Sequence, residues 1–318
     1  MTAARRAIPL ASGLSRSSRV LVLAAFLAIY FIWGSTYLAI RFAIESIPPL
    51  VTAGIRHTTA GLVLLAWAYA RGFRFHRDYL KGALALGVLF FVIGHGTLHW
   101  AEQYVNSGLA ALLIATEPLF ILVIGSLMGT EHINWRNGLG LFLGLLGVFL
   151  LAGRDLWDHR SLALGMGAVL AGSASWSLGV CLSPKLRLPD EPVARAALPV
   201  ISGGIALLIV AAVSGETHGL HASNVSGRSI AGLLYLIVFG SIVAFTAYMW
   251  LLQRIRPSLV ATHTYVNPIV AMILGWLLAR EPLTARLVVA AVAILAAILL
   301  IQRGTRIPRE ELSAERAA

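Results

Sequence analysis

Ionisable side chains inside apolar sequence are the residues of this chain best suited to chemistry. Glu117 is one of them, and it stands directly before Pro118. A charged carboxylate at the centre of a bilayer costs about 2.5–3.5 kcal/mol on insertion scales, so it faces water, pairs with another group or carries a proton. Two roles are therefore open for Glu117: a carboxylate that binds protons or an ammonium group, or a protonated acid bonded to a neighbouring helix.

Histidines form the second candidate group. His95 and His99 are four residues apart, a spacing that places both on one face of a helix. Because imidazole titrates near neutral pH, the pair could relay protons or contact a carboxylate, or one of them could be a packing residue with a hydrogen bond. His263 joins this group, one turn before Asn267. No third ligand completes a metal-binding spacing, so we predict neither a metal site nor a cofactor.

Two prolines follow polar residues at matching places in the chain, in Glu117-Pro118 and Asn267-Pro268. Proline lacks an amide hydrogen and clashes with the carbonyl one turn earlier, which predicts a kink at each position. The freed carbonyls, beside a polar side chain, would suit the wall of a binding site. The alternative is that both prolines only shape the helices for packing.

Arg56 and a set of aromatic residues complete the candidates for solute binding. Arg56 lies about two turns into a predicted helix, where it could bind a solute carboxylate or extend its stem to the membrane interface. Aromatic rings could line a cavity and bind cations through their faces, or belong to an interfacial belt. The aromatic candidates are Trp33, Tyr37, Trp176, Tyr248 and Tyr265.

The composition indicates which kind of element holds these residues. Apolar and aromatic residues make up 58% of the 318 residues and charged residues only 12%, with a mean hydropathy of +0.82. Soluble domains are about one quarter charged. Unbroken apolar runs of about 20 residues predict helices that cross the ~30 Å core of a bilayer. Strands of a membrane barrel would instead alternate apolar and polar residues. We therefore predict an all-α integral membrane protein.

The distribution of basic residues predicts the topology. The net charge of +11 arises from residues between the apolar runs, which argues against nucleic-acid binding. Alternating the connections places eighteen basic residues on one side and six on the other, so both termini are predicted to be cytoplasmic, in the cell (inner) membrane. The first run continues to Ile40, too long for a cleaved signal peptide. The ten predicted spans are 20–40, 51–70, 82–101, 107–128, 137–153, 162–182, 194–213, 229–252, 258–279 and 286–302.

An internal repeat divides the chain. Without gaps, Trp100–Leu151 aligns with Trp250–Ile301 at an offset of 150 residues, with eleven identities. Five helices are an odd number, so the second half enters the membrane from the opposite side, the inverted repeat of many secondary carriers. The predicted units are a cytoplasmic tail over 1–19, five-helix repeats over 20–153 and 162–302, and a second cytoplasmic tail over 303–318.

Several short motifs carry a family resemblance. They are Tyr30–Tyr37, Pro48-Pro49, Gly54–Arg56, Ser107–Ala111, Gly129–Glu131, Tyr265–Pro268 and Glu281-Pro282. These motifs resemble EamA-type permeases of the drug/metabolite transporter superfamily, closest to its YedA-like members. The resemblance implies ten helices in two repeats and transport of small metabolites, most often export of amino acids or drugs. Glu117 departs from the apolar or small residue usual before the first proline of this family.

Three functions remain open at this point. The first is a secondary carrier of a small organic solute, driven by the solute gradient or by protons, since no ATP-binding fingerprint is present. The second is a membrane enzyme acting on lipid, although no nucleophile, base and orienting group cluster, and we predict no catalytic residues. The third is a passive channel or a lipid-handling protein. The expected partners are a small solute and membrane lipid, with a monomer as the simplest assembly.

Overall fold

The computed structural model describes residues 16–131, 133–152, 159–252, 260 and 262–304. Within these residues all regular structure is helical, and ten apolar helices follow one another. Three of them are composite, because α3 and α8 each contain a π-helical segment and α4 is interrupted. The helices are α1 Arg16–Ala43, α2 Pro49–Ala70, α3 Tyr79–Leu86, Gly87–His95 and Gly96–Ala101, α4 Ser107–Ile114 and Glu117–Leu127, α5 Trp135–Ala152, α6 Arg160–Leu182, α7 Pro192–Val213, α8 Gly227–Tyr235, Leu236–Val243 and Ala244–Leu252, α9 His263–Ala279, and α10 Ala285–Gly304.

Local sequence accounts for the helix starts. The Asn106 side chain accepts from Leu109 N (2.8 Å) at the start of α4, and Ser226 accepts from Ser229 N (3.1 Å) at the start of α8. Such side-chain oxygens satisfy amide groups that have no partner within the helix. Helices α2 and α7 begin instead at Pro49 and Pro192, where the fixed φ of proline suits the first turn.

Length and hydropathy make most of these helices suitable for crossing a membrane. In the described part of the chain, seven have at least 18 residues and high mean hydropathy, and α5, α9 and α10 are shorter apolar helices. Large apolar side chains remain exposed on their outer faces, among them Phe31, Phe142, Phe149 and Val292. In water such a belt would be unfavourable, whereas in lipid these side chains meet a matching solvent. The chain is a multi-pass membrane protein.

Packing between helices of the two halves of the sequence positions the interior. The most extensive helix pairs are α2 with α7 and α5 with α10, followed by α1 with α8. The largest buried cluster contains residues of α1, α3, α4, α6, α8, α9 and α10. Close approach depends on small residues: a methyl group built on Gly61 of α2 would lie 2.7 Å from Ile201 Cα of α7.

The ten helices agree with the predicted apolar runs to within a few residues at most ends. In the ninth, residue 262 is a turn and α9 begins at His263, inside the run that we predicted to start at 258. That predicted start lies outside the described residues, as do residues 1–15 and 305–318 of the two predicted tails.

Candidate functional site

The π-helical segment of α8 joins two groups of polar side chains inside the bundle. Its Gly240 carbonyl accepts from Trp33 Nε1 of α1 (3.0 Å), and its Ser241 hydroxyl accepts from Arg56 Nε of α2 (3.0 Å). Arg56 is only 5% exposed, so its guanidinium lies inside the bundle. A π segment shifts the register of a helix by one residue and is frequent at functional sites.

A histidine cluster, made of His57, His95 and His99, lies between α2 and α3. His57 Nε2 and His95 Nδ1 are hydrogen-bonded at 2.8 Å, and His99 Nδ1 lies 2.8 Å from the His95 carbonyl oxygen. The indole of Trp176 from α6 stacks on His95, with ring centres 5.3 Å apart and planes 10° apart. Gly94 lies beside this stack, since a methyl group built there would be 3.4 Å from Trp176 Cε3, an ordinary van der Waals contact.

The bond from His99 to a carbonyl fixes the tautomer of a neutral His99. A carbonyl oxygen only accepts, so Nδ1 carries the hydrogen and Nε2 holds the lone pair. Nε2 is buried and has no hydrogen-bond partner among the described residues. In the cluster, His57 and His95 therefore share a hydrogen bond in which one ring donates and the other accepts, while His99 presents an unused acceptor.

An aromatic cluster, made of Trp33, Tyr248 and His263, lies where α1, α8 and α9 meet. The ring centres are 5.1 Å apart for Trp33 and Tyr248, 4.9 Å for Trp33 and His263, and 5.9 Å for Tyr248 and His263. All three side chains are half-buried, which leaves part of each ring open to a neighbouring molecule. Such ring faces suit an apolar or cationic group.

Asn267 has a binding partner within the protein. In the orientation that satisfies its donors, the amide nitrogen donates to His263 O (3.0 Å) and Tyr30 O (3.2 Å), which ties α9 to α1. The side chain is 7% exposed. Tyr265 packs at the edge of the largest apolar cluster, to which the buried Tyr37 belongs.

Glu117 begins the second part of α4, after an interruption at Ala115 and Thr116. Its carbonyl accepts from Ser177 Oγ of α6 (3.1 Å), and its half-buried carboxyl group lies within electrostatic reach of Tyr37 and Tyr248. The interruption lies just before Pro118, where the missing amide hydrogen weakens the helix. Helix α9 continues through Pro268, and the predicted bend there stays a prediction.

A cavity that we call the vestibule opens at one end of the bundle, with a volume of about 760 Å³. Residues of the α1–α2, α3–α4 and α9–α10 connections line it, among them Glu45, Glu102 and Asn106. This volume lies within the ~300–1,000 Å³ that is usual for sites of small organic ligands. The vestibule is therefore large enough to hold a small organic molecule at this end of the bundle.

Glu281 follows α9 and joins it to α1 and α4 beside the vestibule. Its Oε1 accepts from Arg41 Nη1 (2.7 Å) and Ser107 N (3.0 Å), and its Oε2 accepts from Ser107 Oγ (2.8 Å) and Gly108 N (3.3 Å). The carboxylate thus caps the positive end of α4 and pairs with α1. Glu281 connects three helices through one side chain.

The structure brings eight of the eleven predicted site residues together in two groups, and Glu117, Tyr37 and Tyr265 belong to neither. His95, His99, Arg56 and Trp176 surround the histidine cluster, while Trp33, Tyr248, His263 and Asn267 share the junction of α1, α8 and α9. Within the described ranges, no three His, Cys, Asp or Glu residues are arranged to hold a metal ion.

Sequence reasoning missed Glu102 and the carboxylate role of Glu281, and His57 was not among the predicted site residues. Glu102 was detectable, since His95, His99 and Glu102 follow the i, i+4, i+7 spacing of one helix face. The partners of Glu281 carried no such signal, because they lie 174 and 240 residues away in sequence.

Comparison with known proteins gives the family. The model of the EamA-like transporter family matches residues 20–153 and again residues 163–303. The chain belongs to the EamA-like transporter family. It is 38% identical over 286 residues to the Escherichia coli K12 protein named "Uncharacterized inner membrane transporter YedA", covering 88% of this chain and 90% of that relative.

Two more distant proteins also match over most of the chain. A Bacillus subtilis protein named "Uncharacterized transporter YoaV" is 24% identical over 284 residues, covering 88% of this chain and 96% of the relative. A solved structure titled "Crystal structure of protein" superposes with a TM-score of 0.61 at 18% identity, covering 92% of this chain and all of that one. At this identity the superposition shows a shared fold.

Proposed function

We propose that the protein is a secondary transporter of small organic metabolites, above all of amino acids or of amphipathic and cationic compounds. It exports them by alternating access of two inverted five-helix halves around a cavity near the midplane, driven by the solute gradient or by protons. It acts without catalytic residues or cofactors, as a monomer in the inner membrane, with both termini in the cytoplasm.

Equivalent features in the two halves support the inverted repeat. The π segments Gly87–His95 and Leu236–Val243 occur in the third helix of each half, about 149 residues apart. The turns after α4 and α9 each contain the same type of hydrogen bond, from Glu131 N to Gly125 O (3.1 Å) in one and from Glu281 N to Gly275 O (3.0 Å) in the other. Helix pairs also correspond, since α1 packs on α8 and α9 as α6 packs on α3 and α4.

The observation that carries the proposal is the polar interior between the halves. Arg56, the histidine cluster and the aromatic cluster draw on α1, α2, α3, α6, α8 and α9, hence on both halves. Buried ionisable groups in a membrane are costly and mark pathways of solutes or protons. A site built from both halves would change its exposure when the halves rock against each other.

The inverted topology predicts opposite labelling of two equivalent positions. Cys181 is the only cysteine, so Cys181→Ser gives a background without reactive thiols. Arg74→Cys, after α2, should react with a membrane-impermeant maleimide only from the cytoplasm. Ser223→Cys, at the corresponding place after α7, should react only from the outside. Both side chains are exposed, which makes them suitable reporters. Reaction of both cysteines from one face would contradict the inverted repeat.

Transport by this route predicts a role for Glu117 in the response to pH. Purified protein in liposomes should exchange a labelled amino acid or a cationic aromatic compound down its gradient. Glu117→Gln keeps the size of the side chain and removes its ionisation, so it should change the pH dependence of the flux. Glu45→Gln, at an exposed acid paired with Arg228, is the matched control and should leave the profile unchanged. If Glu117→Gln had the same flux as the wild type at every pH, Glu117 would have no part in the mechanism. Absence of any flux in the wild type would contradict the proposal that the protein is a transporter.

A further inference from the structure

Two acidic side chains near the vestibule differ sharply in their surroundings. Glu281 accepts four hydrogen bonds, including one from Arg41. Glu102 is 4% exposed, and neither of its carboxyl oxygens has a hydrogen-bond partner among the described residues. A buried polar group without a partner costs about 1–3 kcal/mol, and more if it is charged. A group left in this state at the wall of a cavity is suited to a ligand that supplies the missing donor.

The neighbour of Glu102 on α3 lacks a donor as well. His99 stands three residues earlier and therefore on the same side of the chain, about 5–6 Å away between Cβ atoms. Its Nε2 is an acceptor, because Nδ1 bonds to the His95 carbonyl, and this Nε2 is also buried without a partner in the described part of the chain. Two unpartnered acceptors thus stand about one helical turn apart at the end of α3. One of them belongs to a carboxyl group.

We propose that Glu102 and His99 form a binding site for the primary ammonium group of a small organic solute that enters through the vestibule. An ammonium group carries a positive charge for Glu102 and N–H donors for both acceptors. The cavity of about 760 Å³ has room for the organic part of such a solute. Because this site would set the solute class of the proposed transporter, it rests on the proposed function.

The charges around Glu102 give the site a dependence on pH. Burial raises the pKa of the Glu102 carboxyl group well above its usual range, Glu281 adds to the rise, and Arg41 and Arg56 oppose it. Tyr37 from α1 also lies within electrostatic reach. Without a bound ligand, the Glu102 carboxyl group therefore keeps its proton at a pH at which an exposed carboxyl group is ionised. An ammonium group binds the ionised form, so binding releases a proton and strengthens as pH rises.

The site can be tested with three probes of one shape, by calorimetry on the full chain in lipid nanodiscs between about pH 5 and 8. We expect phenethylammonium to bind, with an affinity that rises with pH. Its trimethylated form keeps the charge but has no N–H donor, and 3-phenylpropionate reverses the charge. Both should bind at least about tenfold more weakly, the loss of roughly one charge-assisted hydrogen bond.

Two variants and one control locate the binding. Glu102→Gln should weaken phenethylammonium by about tenfold or more and abolish the rise with pH. His99→Asn keeps a donor for the His95 carbonyl but lacks the Nε2 acceptor. It should therefore weaken the binding of phenethylammonium and leave the binding of the trimethylated form unchanged. Asp78→Asn removes an exposed acid that pairs with Arg187 at the start of α3, the opposite end of that helix from Glu102, and should bind as the wild type does.

Three results would overturn the site: no binding of phenethylammonium by the wild type, equal binding of the trimethylated form, or unchanged binding in Glu102→Gln. The first two need no variant, so they hold even if a variant fails to fold. Calorimetry measures binding without a solute gradient, so the test of the site is independent of the test of transport. Binding without flux in liposomes would leave the site and contradict the transporter, whereas flux of other solutes without ammonium binding would do the reverse.

Discussion

Glu281→Gln should destabilise the protein by about 3 kcal/mol, because it removes a buried carboxylate that accepts four hydrogen bonds and leaves buried donors without an acceptor. The carboxylate accepts from Arg41, from Ser107 twice and from Gly108, and it is 6% exposed. A glutamine has one oxygen, and its amide nitrogen would face N–H groups that need an acceptor. Thermal unfolding in detergent should show a midpoint lowered by roughly 6 °C.

The control for this prediction is Glu45→Gln at the same end of the bundle. Glu45 pairs with Arg228 at 3.1 Å, but both side chains are exposed, so the loss should stay below about 1 kcal/mol. Arg41→Ala should lower the midpoint less than Glu281→Gln, because the three contacts with Ser107 and Gly108 remain. A midpoint in Glu281→Gln equal to that of the control would show that this network contributes no stability.

Gly61→Ala should have an effect of similar size for a steric reason. A methyl group at residue 61 would lie 2.7 Å from both Cα and N of Ile201, on the backbone of α7. Backbone atoms of a packed helix cannot rotate away, so α2 and α7 must separate along an extensive interface. Overpacking of this kind costs about 1–3 kcal/mol. We expect a lower midpoint and reduced flux, since α2 also carries Arg56 and His57.

Gly167→Ala is the matched control for the helix propensity of the new residue. Gly167 lies in α6, and a methyl group there would meet no atom within 4 Å. Alanine is favoured over glycine in a helix by about 1 kcal/mol, so the control should unfold at the same temperature or slightly higher. If Gly61→Ala behaved like Gly167→Ala, the close packing of α2 on α7 would be contradicted.

The sequence by itself determined the elements of this protein. Apolar runs of about 20 residues leave the backbone no alternative to helix in lipid, so the ten helices could be placed from hydropathy and from the residues at their ends. The π segments of α3 and α8 were not foreseen, because they depend on which side chains the neighbouring helices present. Local chemistry also indicated the break before Pro118.

The tertiary structure alone decided which polar groups meet. His57 reaches His95 across 38 residues, Arg56 reaches Ser241 across 185 and Arg41 reaches Glu281 across 240. Hydropathy reports how strongly a residue prefers lipid, and it carries no information on the rotation of one helix against another. That rotation follows from the shapes of packed side chains. It leaves Glu281 with four donors and Glu102 with none among the described residues.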